Sequence, residues 1–141
     1  MSQQQDAAPT VAAANAAVLG ELPFANRQDF TDAERGFLGT GPEAVIQNDG
    51  GRVVWTMATY DFLKADTAPP TVNPSLWRQS QLNCRHGLFE VVPGIYQIRG
   101  FDISNMTLIE GKTGVIVIDP LVSVEPARAG LDLYFKHRGR K

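Results

Sequence analysis

The chain has 141 residues, a formal net charge of −2, and hydrophobic and charged contents of 43% and 20%. That length allows one ordinary domain with a sizeable core, at a composition close to the globular average. The balanced charge gives no case for nucleic acid, which needs a clustered basic surface. The one dense cationic run, Lys136 to Lys141, reads as a solvated helix end rather than a phosphate-binding arm.

A single cysteine, Cys84, excludes an intrachain disulfide. No apolar run approaches the roughly 20 residues a membrane helix needs. The first basic residue is Arg27, so the start lacks the positive region of a secretory signal. A soluble, cytoplasmic chain is the expectation.

In chain order, residues 1–22 are Gln- and Ala-rich and are expected to be disordered, with a turn or two of helix over Ala12 to Leu19. Residues 23–86 read as an arm. Asp29 to Leu38 predicts a short helix, with Thr31 as cap and Glu34 completing a capping box, ended by Gly36, Gly39 and Gly41-Pro42. Val45-Ile46 and Val53 to Thr56 flank Asn48-Asp49-Gly50-Gly51, a hairpin signal. Tyr60 to Leu63 reads as loop or short helix. Ala68 to Pro74 is held extended by its prolines. Ser75 to Asn83 predicts a helix capped by Ser75, with Leu76, Gln79 and Leu82 at helical spacing. The arm's apolar groups are too scattered for an independent core, so it is expected to wrap the main domain and reach a second subunit of a homodimer.

The main domain is expected over 87–141. Leu88 to Val92 and Ile95 to Arg99 are β-rich runs joined by Pro93-Gly94, which suit the two central positions of a turn. Met106 to Glu110 and Val115 to Asp119 flank Gly111-Lys112-Thr113-Gly114, a connection of hairpin length. The unbroken β-branched run Val115-Ile116-Val117-Ile118 predicts a strand covered on both faces, and Asp119-Pro120 stops it. A helix follows, with Ser123 as N-cap, Glu125 and Pro126 in the first turn, and Val124, Ala127, Leu131, Tyr134 and Phe135 on one face. Cations then complement its C-terminus before Gly139.

Six candidate features can be weighed on residue chemistry. Gly111-Lys112-Thr113 resembles the end of a P-loop, but position 106 is Met rather than Gly and the segment joins two strands. Cys84 and His86 share a metal-like spacing, yet only His137 remains as another His or Cys, so a structural role is favoured. Arg99, Asp102 and Asn105 flank a loop that either rims a cleft able to touch an anion or carries ordinary surface turns. Asn105-Met106-Thr107 matches a glycosylation sequon without a secretory context. Trp55, Trp77, Tyr96 and Phe101 read as core rather than as a lipid-chain pocket. Asp119, at the end of a buried strand, should have hydrogen-bond partners, since a buried carboxylate is otherwise costly.

Longer phrases add a family resemblance. Asn-Pro-Ser-Leu-Trp-Arg at 73–78, Leu-Asn-x-x-His-Gly-Leu-Phe-Glu-Val at 82–91, Gly-Ile-Tyr-Gln-Ile-Arg-Gly-Phe-Asp at 94–102 and Asn-Met-Thr-Leu-Ile-Glu-Gly at 105–111 resemble the N-terminal part of the alkylsulfatases of the metallo-β-lactamase superfamily. The similarity reaches back to about Gln28. What it implies is an α+β fold, the opening portion of an αββα sandwich, in a hydrolase that releases sulfate from alkyl sulfates such as dodecyl sulfate. It also implies two zinc ions, held mainly by a His-x-His-x-Asp-His motif one strand beyond Lys141. On this reading the chain carries no catalytic, cofactor-binding or metal-ligating residue and is inactive alone. Asp119 braces the loop that bears the metal histidines, or else caps the helix after it. Two other readings stay open: a different hydrolase of the superfamily (a lactonase, thioesterase or lactamase), and a non-catalytic interaction or dimerisation module.

Overall fold

A computed structural model describes residues 5–41 and 45–140. The fold is α+β. Five strands form one antiparallel sheet: β1 (Phe37–Gly39), β4 (Gly87–Val92), β5 (Ile95–Arg99), β6 (Met106–Glu110) and β7 (Val115–Ile118), in that spatial order. A separate hairpin pairs β2 (Val45–Gln47) with β3 (Val53–Thr56).

Pro93-Gly94 makes the β4–β5 turn as the sequence predicts. Gly94 takes φ 85°, which a side chain would resist. The register Leu88↔Ile98↔Met106 and Tyr96↔Leu108 places these side chains on one face of the sheet. Helix α4 (Val124–Arg138) covers that face. Leu88, Tyr96, Ile98, Phe101, Met106, Leu108, Leu133 and Tyr134 form the core between them. Gly130 lets α4 approach closely, since a Cβ there would lie 3.3 Å from Ile98 Cγ2. Ser123 is the N-cap residue, though its side chain makes no capping bond, and the Gly139 amide closes the helix on the Phe135 carbonyl. The buried line is Pro126, Gly130, Leu133 and Tyr134. Ala127, Leu131 and Phe135 are half-buried, and Val124 is exposed.

One polar clasp ties α4 to the sheet. Glu110 accepts from Tyr134 Oη at 2.9 Å and from Arg138 Nε at 3.0 Å, with Arg138 Nη2 on its other oxygen at 3.2 Å. Tyr96, whose ring lies 5.7 Å from that of Tyr134, donates to Glu90 on the neighbouring strand. Burial, followed by the Glu110 hydrogen bond, pushes the Tyr134 hydroxyl up to about 12.

Several expectations are corrected. Pro9–Glu21, placed in the expected disordered tail, is helix α1; Ala-rich composition and Pro9 at its first turn favour it. It buries no residue, and Asn15 ties it down by donating to the Pro70 carbonyl at 2.8 Å. Helix α2 spans Gln28–Glu34, so Thr31 lies inside it and no capping box forms; the Gln28 amide instead bonds Asn26 Oδ1 at 2.9 Å. Gly36, at φ 73°, turns the chain out of that helix. Phe37–Gly39 then becomes β1, which pairs with β4 and sets the Phe37 and Phe89 rings 5.3 Å apart. Pro42, invoked as a helix stop, lies outside the described residues.

Met57–Lys64 is a 3-10 segment, and α3 spans Pro74–Asn83. The cap of α3 is Asn73 rather than Ser75: Asn73 Oδ1 accepts from the Ser75 amide at 2.9 Å and its hydroxyl at 2.6 Å. Finally, β7 is not covered on both faces. It is the last strand of the sheet, bonded among the described residues to β6 alone, and Ile116, Val117 and Ile118 are 62%, 40% and 51% exposed. Only Val115 at its start packs against the core under α4, so apolar content alone did not fix the strand's place in the sheet.

The arm elements meet through named side chains. Arg78 on α3 donates to both oxygens of Asp29 at 2.7 Å, to the Phe24 carbonyl at 2.9 Å and to the Asn26 carbonyl. Trp77 donates to the Ala65 carbonyl at 3.1 Å. Trp55 on β3 reaches the main sheet, donating to the Gly100 carbonyl at 2.9 Å.

Candidate functional site

The antiparallel register brings the end of β5, the start of β6, the end of β7 and the start of α4 to one end of the sheet. Two loops meet there, Gly100–Asn105 and Asp119–Ser123. Asp102 joins them. Its Oδ1 accepts from the Ser104 amide and its Oδ2 from the Val122 amide, both at 2.6 Å. The second bond spans 20 residues and pins a turn in which Asp119 (φ 52°) and Leu121 (φ 73°) both hold left-handed backbone. Leucine in that region is strained by about 1–2 kcal/mol, so the turn needs such a brace.

Beside these loops lies a cleft of about 710 Å³. Trp55, Tyr60, Phe62, Leu76 and Trp77 supply an apolar wall; Arg99, Asp102, Ser104 and Asn105 supply the polar side. Ring contacts fix the wall, with Trp55 and Tyr60 centroids 6.3 Å apart and Phe62 and Trp77 5.9 Å apart. This volume lies inside the roughly 300–1,000 Å³ range typical of small-molecule sites. Arg99 is half-buried: its Nε donates to Gln97 Oε1 at 2.7 Å and its guanidinium carbon sits 4.3 Å from the Phe89 ring centre. Burial draws its pKa below the usual arginine value.

The loop residues Arg99, Asp102 and Asn105 named from the sequence are therefore brought together at a cleft. Tyr96 and Phe101 are core and Trp77 is buried, as expected; Trp55, read as core, is half-buried, and both tryptophans line that same cleft. What sequence reasoning missed is that two arm tryptophans, 22 positions apart, meet the β5–β6 loop. The anchoring of Trp55 on Gly100 is a long-range contact with no local signature.

Asp119 departs from expectation. It is exposed at the end of an edge strand, is not among the residues lining the cleft, and makes no side-chain hydrogen bond among the described residues. The premise of a buried, partnered carboxylate is thereby overturned, because β7 is not buried. The helix cap is likewise not its work. The residue with the partnered carboxylate at this end of the sheet is Asp102.

Among the described residues no three of His, Cys, Asp and Glu converge. His86 Nδ1 lies 3.1 Å from the Cys84 carbonyl, burial raises the Cys84 thiol pKa, and His137 lies against Gly39. Gly111 to Gly114 is the hairpin connection expected, not a phosphate loop, with the Gly111 amide bonded to the Gly114 carbonyl at 2.8 Å.

No family model matches the chain. It is 52% identical over 134 residues to an alkyl/aryl-sulfatase of Saccharomyces cerevisiae, covering 94% of this chain and 21% of that protein. A linear primary-alkylsulfatase of a Pseudomonas species is 52% identical over 130 residues, at 92% and 19% coverage. The solved structure of a stereoselective inverting sec-alkylsulfatase, also from Pseudomonas, superimposes with a TM-score of 0.88 at 52% identity, covering 97% of this chain and 22% of that one. The chain thus spans about a fifth of the length of the curated relatives it matches. No helix among the described residues is long and apolar enough to cross a membrane. The resemblance carried by the phrases between residues 73 and 111 holds over nearly the whole sequence: the chain is homologous to a section, about one fifth, of the alkylsulfatases.

Proposed function

We propose that this chain is the opening section of a zinc-dependent alkylsulfatase, a sulfuric ester hydrolase that cleaves alkyl sulfates such as dodecyl sulfate to alcohol and sulfate. The single observation that carries the reading is 52% identity over 94% of the chain to a protein five times as long that bears that activity in its name. The fold is then the first portion of a metallo-β-lactamase sandwich, with 87–141 as the start of that domain and 23–86 as the arm, which adds β1 to its sheet. The exposed apolar residues of β7 support this, because a sheet edge of that kind is ordinarily covered. Zinc, when bound in the whole enzyme, offsets negative charge on the sulfate. Its ligands belong to residues outside this chain, and no step of the reaction is assigned to residues here. A homodimer in the cytoplasm completes the proposal.

The test uses purified 1–141 after dialysis. Metal analysis is expected to find no stoichiometric zinc, and incubation with dodecyl sulfate no free sulfate. Retained zinc together with sulfate release would show that the ligands are in this chain after all.

A further inference from the structure

Arg99 stands apart from the other arginines among the described residues. Arg35, Arg78, Arg85, Arg128 and Arg138 each lie within ion-pair distance of a carboxylate. Arg27, Arg52 and Arg140 are exposed, where water serves them. Arg99 is half-buried and has no carboxylate within ion-pair distance among the described residues. Its Nε is satisfied by Gln97, but neither terminal nitrogen donates to a protein acceptor among the described residues. A guanidinium removed from water without a counter-charge is unfavourable, and its planar fork suits two oxygens of one anion.

The surroundings narrow the anion's class. Arg99 lines the 710 Å³ cleft at the same mouth as Ser104 and Asn105, and the Asn105 side chain, like the guanidinium fork, has no protein partner among the described residues. Among the described residues Asp102 is the one carboxylate lining the cleft, and both its oxygens are taken by backbone amides. From the mouth the cleft runs along Trp55, Tyr60, Phe62 and Leu76, of which Tyr60, Phe62 and Leu76 are 37%, 61% and 60% exposed. A cation beside a strip of apolar side chains matches an amphiphile with an anionic head and an alkyl tail. It does not match a free inorganic anion, which has nothing to lay on that strip.

We infer that this cleft is a binding site for a single-chain alkyl sulfate, with Arg99 gripping the sulfate group and the aromatic wall from Trp55 to Leu76 taking the alkyl tail. The choice of sulfate as head group rests on the alkylsulfatase reading above; the site itself rests on the unpaired guanidinium and the wall beside it. Arg99 acts here in holding the ligand, not in cleaving it, and no bond is made or broken at this site.

Both tryptophans of the chain, Trp55 and Trp77, line the cleft, so intrinsic fluorescence reports its occupancy directly. The chain is titrated with octyl sulfate below its micelle concentration, with far-UV circular dichroism recorded at each point to confirm that secondary structure is retained. A saturable change in emission is expected, with affinity lowered roughly ten- to a hundredfold by Arg99→Met and only partly restored by Arg99→Lys, which returns the charge but not the planar fork. Arg52→Met, an exposed arginine away from the cleft, is expected to bind as the parent does. Octyltrimethylammonium, with the same tail and the opposite charge, is expected to give no saturable change, and inorganic sulfate alone none either. Equal responses to the anionic and cationic amphiphiles, or an Arg99→Met chain that binds as tightly as the parent, would overturn the inference. Neither result touches the hydrolase reading, which is decided by sulfate release rather than by binding to this chain.

Discussion

Replacing Glu110 by alanine tests how helix α4 is held on its sheet. The Glu110 side chain is 8% exposed and accepts from both Tyr134 and Arg138. Removing it strands the Tyr134 hydroxyl, which belongs to a residue of 0% relative exposure, at a cost of about 1–3 kcal/mol. Arg138 is 39% exposed and turns back to water, adding little. Tyr134→Phe removes the donor along with the bond, so its penalty falls near the low end of that range. The double variant then costs no more than Glu110→Ala alone, because no hydroxyl is left to strand. Urea unfolding followed by circular dichroism reads these differences as midpoint shifts. The same clasp predicts an alkaline limb. An unfolded tyrosine ionises near its ordinary value of 10, whereas folded Tyr134 holds its proton to about 12. The raised folded value means that this contribution is complete below pH 10 and is lost as pH climbs through 12. Tyr134→Phe should flatten that limb without abolishing it, since burial pushes Tyr96 up as well. Strictly additive single and double variants, with an unchanged alkaline limb, would refute the clasp.

Asp102→Ala should destabilise the chain by roughly 1–3 kcal/mol through loss of two charge-assisted bonds, and hydrogen exchange at the Val122 amide should accelerate with it. Arg78→Met should loosen the arm, seen as severalfold faster proteolysis near residues 22–30. Its hydrogen bond holds Asp29 below the ordinary aspartate value of 3.8, so the pair's stabilisation is present above that pH and lost as acid protonates Asp29; the variant should lack this acid limb. Gly36→Ala should abolish the β1–β4 pairing, because φ 73° disfavours a side chain and a Cβ would overlap the Glu90 carbonyl oxygen. Loss of amide protection across Phe37 to Gly39 would show it.

The hairpins were legible in the sequence because their signals are local. Pro93-Gly94 and the Asn48 to Gly51 turn each sit between β-branched runs, and Asn48 Oδ1 accepts from the Gly50 and Arg52 amides at 3.1 and 3.0 Å. Helix α4 was legible from its caps and spacing, with its face rotated by close approach at Gly130. Strand β1 was not legible, since three residues carry no periodicity and only pairing with Phe89 makes them a strand. The exposure of Asp119 was not legible for a related reason: Val115 to Ile118 is apolar enough for a central strand, but composition does not say which neighbours it has. At the site, Arg99, Asp102 and Asn105 were legible as loop residues. Their meeting with Trp55 and Trp77 was not, because the contacts that create it span tens of residues.

The most direct test of the account is sulfate release by the complete gene product, assayed on dodecyl sulfate beside a lactone, a thioester and a β-lactam. Sulfate release from dodecyl sulfate that is lost on chelation and restored by zinc is the predicted result. Turnover of one of the other substrates with no sulfate released, or no hydrolysis of any of them by zinc-loaded protein, would contradict it.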